Sequence, residues 1–387
     1  MRPAVAAAAL LVVAWPAVPG SPPSAAAAAA APAGAAQAAR GAACPAHAGA
    51  AGTPVLPAPG PLLFGITPAG RSGATGAPIP VTPGTRAQTL TALRRLRAPH
   101  RPLVLRLNRF FWALGAEGFR KFLRRAHGYT RRGFRVELQL RYHPAPGQEG
   151  RIGRWVRFVR HVTAAFGADR GVVGIQVANE VNLAPIAPDA SDSAYEGADE
   201  ALVRGVIAAH SVAAARRYDH LGIGFNWVYW PPLAREETFF ASLADLGGRR
   251  FARSVDWVGL DAYPGTFYPS TATPGAERDA MVAGLSRLRC LMPLAGLGHR
   301  VPIHVEENGW PTGPGRTAAD QRLALRAMVG AVNRFRGTFG VTDYRWFSLR
   351  DHNSSSPNFQ HHYGLLRDDY TPKPAFGEYR RLIRRLG

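Results

Sequence analysis

The chain has 387 residues, 47% of them hydrophobic, and a formal net charge of +21. That suits one large domain or two small ones once the alanine-rich start is set aside. The charge invites a polyanion reading, but lysine occurs only at Lys121 and Lys373, and the arginines are spread over helical segments (Arg94, Arg95, Arg97; Arg124, Arg125; Arg380, Arg381, Arg384, Arg385) without a stripe of interleaved aromatics, which argues against a nucleic-acid module.

The chain opens on Met1-Arg2-Pro3, then an Ala/Leu/Val-rich run from Ala4 to Val18 that contains Pro16. The run is too short to span a bilayer, and small residues suited to a signal peptidase follow it between about Ala25 and Ala39. Residues 1–38 are therefore expected to be a signal peptide or Ala-rich leader, residues 39–58 a disordered linker, and residues 59–387 a single catalytic domain. The expected location is extracellular, with no membrane span and a monomeric state. The two cysteines, Cys44 and Cys290, are compatible with a bridge in an exported protein without requiring one. No Cys/His spacing matches a zinc site, and no metal or other cofactor is expected.

From Pro61 onward, short apolar runs alternate with amphipathic segments. The strand candidates are Leu62–Ile66, Leu103–Leu107, Val136–Leu140, Val172–Val177, Ile223–Trp227, Trp257–Leu260, Val301–Val305 and Tyr344–Ser348. Helical spacing appears in Met281, Leu285 and Leu288, in Leu325, Met328, Val329 and Val332, and in Tyr379, Leu382, Ile383 and Leu386. Eight such alternations over this length predict a (β/α)8 TIM barrel. The competing fold, an open doubly wound sheet, would carry a Gly-rich phosphate turn after its first strand, and Phe64-Gly65-Ile66-Thr67-Pro68 is not one.

Two of these strands end in carboxylates: Ile175-Gln176-Val177-Ala178-Asn179-Glu180, and Ile303-His304-Val305-Glu306-Glu307-Asn308-Gly309-Trp310-Pro311. A carboxylate at the tip of an apolar strand needs a use or a partner. In a barrel both would sit at the carboxyl-terminal mouth, as glycoside hydrolysis requires of its pair of acids.

These motifs resemble clan A retaining glycoside hydrolases. Asn179-Glu180 looks like their strand-four acid/base motif. Glu307-Asn308-Gly309-Trp310-Pro311 looks like their strand-seven nucleophile motif, in a form similar to that of β-1,3-glucanases and some β-xylosidase relatives. Asp261-Ala262-Tyr263-Pro264 resembles the strand-six segment whose tyrosine contacts the nucleophile, and Trp346 resembles the strand-eight tryptophan that floors the subsite of the cleaved sugar. Tyr363-Gly364-Leu365-Leu366 and Tyr370-Thr371-Pro372-Lys373-Pro374-Ala375-Phe376 resemble the clan's common ending. The resemblance covers the chain from about residue 60 to its end. It implies Glu180 as acid/base, Glu307 as nucleophile, and an oligo- or polysaccharide substrate, with a slight tilt toward β-linked glucans or xylosides. Asn179 would contact the sugar 2-hydroxyl, Tyr263 would position the nucleophile, and Arg106, late in the second strand, would keep it ionised.

Glu306 and Glu307 should point to opposite faces of a regular strand, so only one should reach the mouth. The Gly-Trp-Pro register favours Glu307, which leaves Glu306 to pair with an arginine in the helix layer. Trp310 and His143 are further candidate substrate contacts. Trp227, Tyr229 and Trp230 would either stack on sugars or pack against the next helix. The acidic loop Asp189, Asp192, Glu196, Asp199, Glu200 lacks calcium-loop spacing and reads as solvated. The alternatives to an enzyme are a barrel that binds carbohydrate without catalysis and a polyanion-binding cell-surface protein.

Overall fold

The computed structural model describes residues 60–68, 82–184, 190–270 and 276–387. The expected leader and linker lie outside these residues, as do Cys44 and Asp189. Cys290 is disulfide-bonded.

Eight parallel strands close into a barrel in chain order, with β1 (Leu63–Ile66) pairing both β2 (Val104–Phe111) and β8 (Val341–Trp346). Between them run β3 (Arg135–Arg141), β4 (Val172–Val177), β5 (Gly222–Val228), β6 (Trp257–Ala262) and β7 (Ile303–Asn308). A helix follows each strand: α1 (Arg86–Leu96), α2 (Gly115–Thr130), α3 (Ile152–Phe166), α4 (Ala198–Ala215), α5 (Glu237–Ala252), α6 (Ala276–Leu291), α7 (Ala318–Phe339) and α8 (Pro374–Leu386). The (β/α)8 expectation and the three helical patterns hold.

Alternation along the strands explains why the elements form. Val136, Leu138 and Leu140 on β3, Ile175 and Val177 on β4, and Tyr344 and Trp346 on β8 are fully buried within the main hydrophobic core. Their opposite-parity neighbours, Glu137, Gln139, Gln176, Asp343 and Arg345, fill the barrel interior. Contacts between non-adjacent strands prove that direction: Arg106 of β2 reaches Gln176 of β4 and Glu307 of β7, and Arg345 of β8 reaches Glu137 of β3. Long charged side chains fit there because facing positions are glycine. A Cβ on Gly65 would lie 2.3 Å from the Arg345 side chain, and one on Gly259 would lie 2.8 Å from that of Glu306.

Strand limits differ from expectation where polar residues face inward. β8 begins at Val341 because Thr342 and Asp343 interrupt the apolar run, and β2 extends to Phe111 past a register shift after Leu107. The largest correction is on β7. Register shifts against both neighbours make Glu306 an extra residue: Leu260 pairs with Val305, but Asp261 pairs with Glu307. Alternation breaks at that bulge, so Glu306 and Glu307 both turn into the barrel. Glu306 therefore pairs with Arg106 inside the barrel, at 3.2 Å, and not with an arginine of the helix layer.

Candidate active site

The carboxyl-terminal ends of β4, β6 and β7 bring Glu180, Asp261 and Glu307 together, with one carboxylate oxygen of each within 4.8 Å of the others. Glu307 is held from two sides. Arg106 donates Nη1 to its Oε1 at 2.5 Å, and the Tyr263 hydroxyl donates to its Oε2 at 2.7 Å. Gln139 adds a longer contact at 3.4 Å. Arg106 is itself sealed in the barrel, donates to Gln176 at 2.6 Å, and has its pKa raised: burial opposes its charge, but Glu307, Asp261, Glu306 and Glu137 together overcome that.

Glu180 follows β4 in a left-handed backbone conformation, φ 47°, which turns it out of the strand direction. Its amide donates to the Asn226 Oδ1 at 2.9 Å. Burial first, and the charge of Glu307 second, push its carboxyl up to about 8, partly offset by Arg141 and Arg106. A carboxyl raised this far suits a proton donor, while Glu307 accepts one hydrogen bond from Arg106 and one from Tyr263. The two environments suit one acid and one nucleophile.

Asn179 lies at the same end, its Oδ1 accepting from Gln139 at 2.7 Å and Asn226 at 2.9 Å, its Nδ2 donating to the Ala190 carbonyl at 3.0 Å. Glu180, Glu307, Asn179, Tyr263 and Arg106 therefore form one connected group. Three other candidates do not join it. Trp346 is fully buried and packs on Tyr379 of α8, 6.4 Å between rings, on the outer face of β8. The aromatic beside Tyr263 at the end of β8 is Phe347, one residue later, with ring centroids 6.3 Å apart. Trp310 lies under the Arg316 guanidinium, 3.8 Å from its ring centroid. His143 stacks on Phe111 at 4.4 Å and shares a 2.9 Å hydrogen bond with the Tyr195 hydroxyl. Trp227 and Tyr229 are buried, Trp227 close to Phe240 of α5, whereas Trp230 is half-buried and stacks on Phe267 at 5.2 Å. Asp192, expected to be solvated, is fully buried: it accepts from Arg141 and from the Tyr142 amide at 2.7 and 2.8 Å.

Sequence reasoning missed Asp261, Gln139, Gln176 and Asn226. Asp261, Gln176 and Asn226 are each the single buried polar residue of an apolar strand, and Gln139 is one of three on β3; that oddity was the available clue. Asp261 is the most consequential. Asn226 must accept the Glu180 amide with its Oδ1, so its Nδ2 donates to Asp261 Oδ2. Burial, then the charges of Glu307 and Glu180, raise the Asp261 carboxyl well above its usual range.

Two groupings have oxygen and nitrogen ligands close enough for a metal ion: Glu180, Asp261 and Glu307, and, deeper in the barrel, Glu137, His304 and Glu306. Arg106 touches a carboxylate of each and already supplies positive charge there.

No protein-family model matches the chain, and no curated protein does. Solved structures do match. The β-D-glucuronidase of Dictyoglomus thermophilum aligns at TM-score 0.52 and 14% identity, over 78% of this chain and 47% of its own. GH5_18 from Streptomyces cattleya, in complex with Manβ1-4GlcNAc, aligns at 0.55 and 17%, over 78% and 74%. The glycoside hydrolase family 17 β-1,3-glucanosyltransferase of Rhizomucor miehei aligns at 0.51 and 15%, over 81% and 96%. The chain spans about half the length of the β-glucuronidases it matches. At these identities the shared property is the fold: this chain and those glycoside hydrolases have a (β/α)8 barrel in common.

Proposed function

We propose that the protein is a secreted, retaining glycoside hydrolase acting on a β-linked oligo- or polysaccharide, with Glu307 as nucleophile and Glu180 as acid/base. One observation carries the reading: a buried carboxyl group, pushed up to about 8, faces, with oxygens within 4.8 Å, a second one gripped by an arginine and a tyrosine, at the end of the barrel where active sites form.

In the first step Glu307 attacks the anomeric carbon while Glu180 gives its proton to the departing oxygen, and a glycosyl ester forms on Glu307. Glu180, now a carboxylate, then takes a proton from water as the water oxygen bonds to the anomeric carbon and the bond to Glu307 breaks, which frees Glu307. Tyr263 and Arg106 fix the attacking carboxylate in place. So close an approach of the two carboxyls favours direct attack over an inverting water, which needs about 6.5–9.5 Å between them. The β-linkage rests on the Glu-x-Gly-Trp-Pro resemblance, and two of the matching proteins carry β-linked sugar chemistry in their descriptions. Secretion rests on the amino-terminal pattern. It is tested by sequencing the exported protein, whose amino terminus should fall between about Ala25 and Ala43; an intact Met1 in the host cytoplasm would overturn it.

The test of function is a panel of aryl glycosides and oligosaccharides with product size read out. Hydrolysis of at least one β-glycoside, abolished in Glu307→Ala, is expected. Binding of a glycan without turnover of any substrate would favour a non-catalytic barrel.

A further inference from the structure

The arginines are scattered in sequence, but the fold gathers part of them. The loop before β2 (Ala98–Pro102), the end of α2 with the turn into β3 (Thr130–Arg135), and the turn before β4 (Asp169–Gly171) surround one cleft of about 890 Å³. Arg94 of α1, Arg97 just after it, His100, Arg101, Arg131, Arg135 and Arg170 line it, and Asp169 is the single acid among the lining residues. Arg94, Arg101, Arg131 and Arg170 are exposed. Asp169 is already engaged: it accepts from the Thr130 hydroxyl at 2.6 Å and from the Gly171 amide at 2.9 Å. Like charges crowded around a concavity repel one another, and a polyanion relieves that repulsion by displacing small counterions.

The cleft opens at the amino-terminal ends of β2, β3 and β4, whereas Glu180 and Glu307 sit at the carboxyl-terminal ends of their strands. A ligand here leaves the mouth of the barrel free. We propose that this cleft is a second, non-catalytic site that binds an anionic polysaccharide and holds the protein on it with the active-site mouth facing away. Two features favour a polysaccharide over nucleic acid. Phe134, the one Phe, Tyr or Trp among the lining residues, is buried, and the Arg97 guanidinium covers its ring at 5.1 Å, so that ring offers no platform to a base. The arginines instead present forked donors suited to carboxylate and sulfate groups. The anchoring role rests on the glycosidase reading above; the binding does not.

The test compares two variants of the full-length protein with equal loss of charge. One replaces Arg94, Arg131 and Arg170 with serine, in the cleft. The other replaces Arg154, Arg157 and Arg160, exposed on α3. Binding to heparin is measured against salt concentration, with single-stranded DNA of matched charge as competitor. The cleft variant should bind several-fold more weakly and lose about two units from the slope of log K against log salt, at roughly 0.7–0.9 per contact removed. The α3 variant should change little, and any turnover of a small neutral glycoside should be the same in both. Equal weakening in the two variants would reduce the effect to net charge and overturn the proposal, as would preferential displacement by the DNA. A protein that binds heparin through the cleft but hydrolyses no glycoside would retain this site and lose the catalytic reading.

Discussion

Arg106 divides the barrel interior into two clusters of the same residue types with opposite fates. Above it, Glu180, Asp261 and Glu307 meet at the mouth, and Glu307 keeps 12% of its side chain exposed. Below it lies a closed ring: Arg106 to Glu306, Glu306 to His304, His304 to Asp343, Asp343 to Arg345, Arg345 to Glu137, and Glu137 back to Arg106, with separations of 2.7–3.5 Å. Glu137 and Glu306 are sealed there. Burial, with the charge of Glu306 next, raises the Glu137 carboxyl well above its usual range. Asp343 stays low despite burial, because His304 and Arg345 outweigh it. Identical chemistry is structural where every group has a charged partner and water is excluded. It is available for reaction where one partner is left for a substrate.

That contrast makes Glu306 and Glu307 the sharpest pair to separate. Glu307→Ala should lower kcat on the order of 10³-fold or more, with a small rescue by azide, because the covalent path is removed. Its unfolding midpoint should change little. Glu306→Ala should do the reverse, costing up to about 3–5 kcal/mol of stability by removing a buried carboxyl from between Arg106 and His304, which keep Glu137 and Asp343 as ring partners. A dead Glu306 variant beside an active Glu307 variant would invert the assignment.

Glu180→Ala should slow substrates with poor leaving groups by about 10²–10⁴-fold, and activated aryl glycosides far less, since only the former need a proton from the enzyme. Equal loss on both would remove the acid role.

Arg345→Met tests the lower ring alone. It takes one charged partner from Glu137, which keeps Arg106, and one from Asp343, which keeps His304, and a loss of up to about 3–5 kcal/mol should lower Tm by as much as roughly 10 °C. Specific activity of the folded fraction should persist. A stable variant with lost catalysis would mean the two clusters are not separable.

The smallest effect expected concerns protons. kcat/KM on a poor-leaving-group substrate should fall as pH rises through about 8, where Glu180 loses its proton. From the usual carboxyl range up to that pH, the folded protein holds a proton that the unfolded chain has released. Stability should therefore decline with rising pH across that window, and Glu180→Gln should flatten the decline. The Asp261 carboxyl is raised as well, so Asp261→Asn, which keeps a neutral group beside Glu180, should leave the limb near 8. A limb moved to lower pH would show that Asp261 was ionised.

These distinctions were only partly legible in the chain. All eight strands could be read because each carries an apolar stripe facing the helices, and that stripe alone sets the barrel. The inward stripe was harder to read, because Gln139, Gln176, Asn226 and Asp261 are isolated polar residues whose partners lie on strands distant in sequence. The bulge at Glu306 left no local mark, so strict alternation misplaced it. On β8 the motif pointed to Trp346, whereas parity sends Trp346 outward and gives the place beside Tyr263 to Phe347. The basic cleft was invisible for the same reason: Arg94, Arg131 and Arg170 converge only through the closure of the barrel.

The central claim is direct attack by Glu307, and the anomeric configuration of the first-formed product tests it most directly. Proton NMR recorded during hydrolysis of a β-glycoside should show the β-anomer appearing first and the α-anomer only later, by mutarotation, since two inversions at one carbon restore the original configuration. An α-anomer formed first would mean that water, not Glu307, attacks the sugar, and would contradict the account of the site.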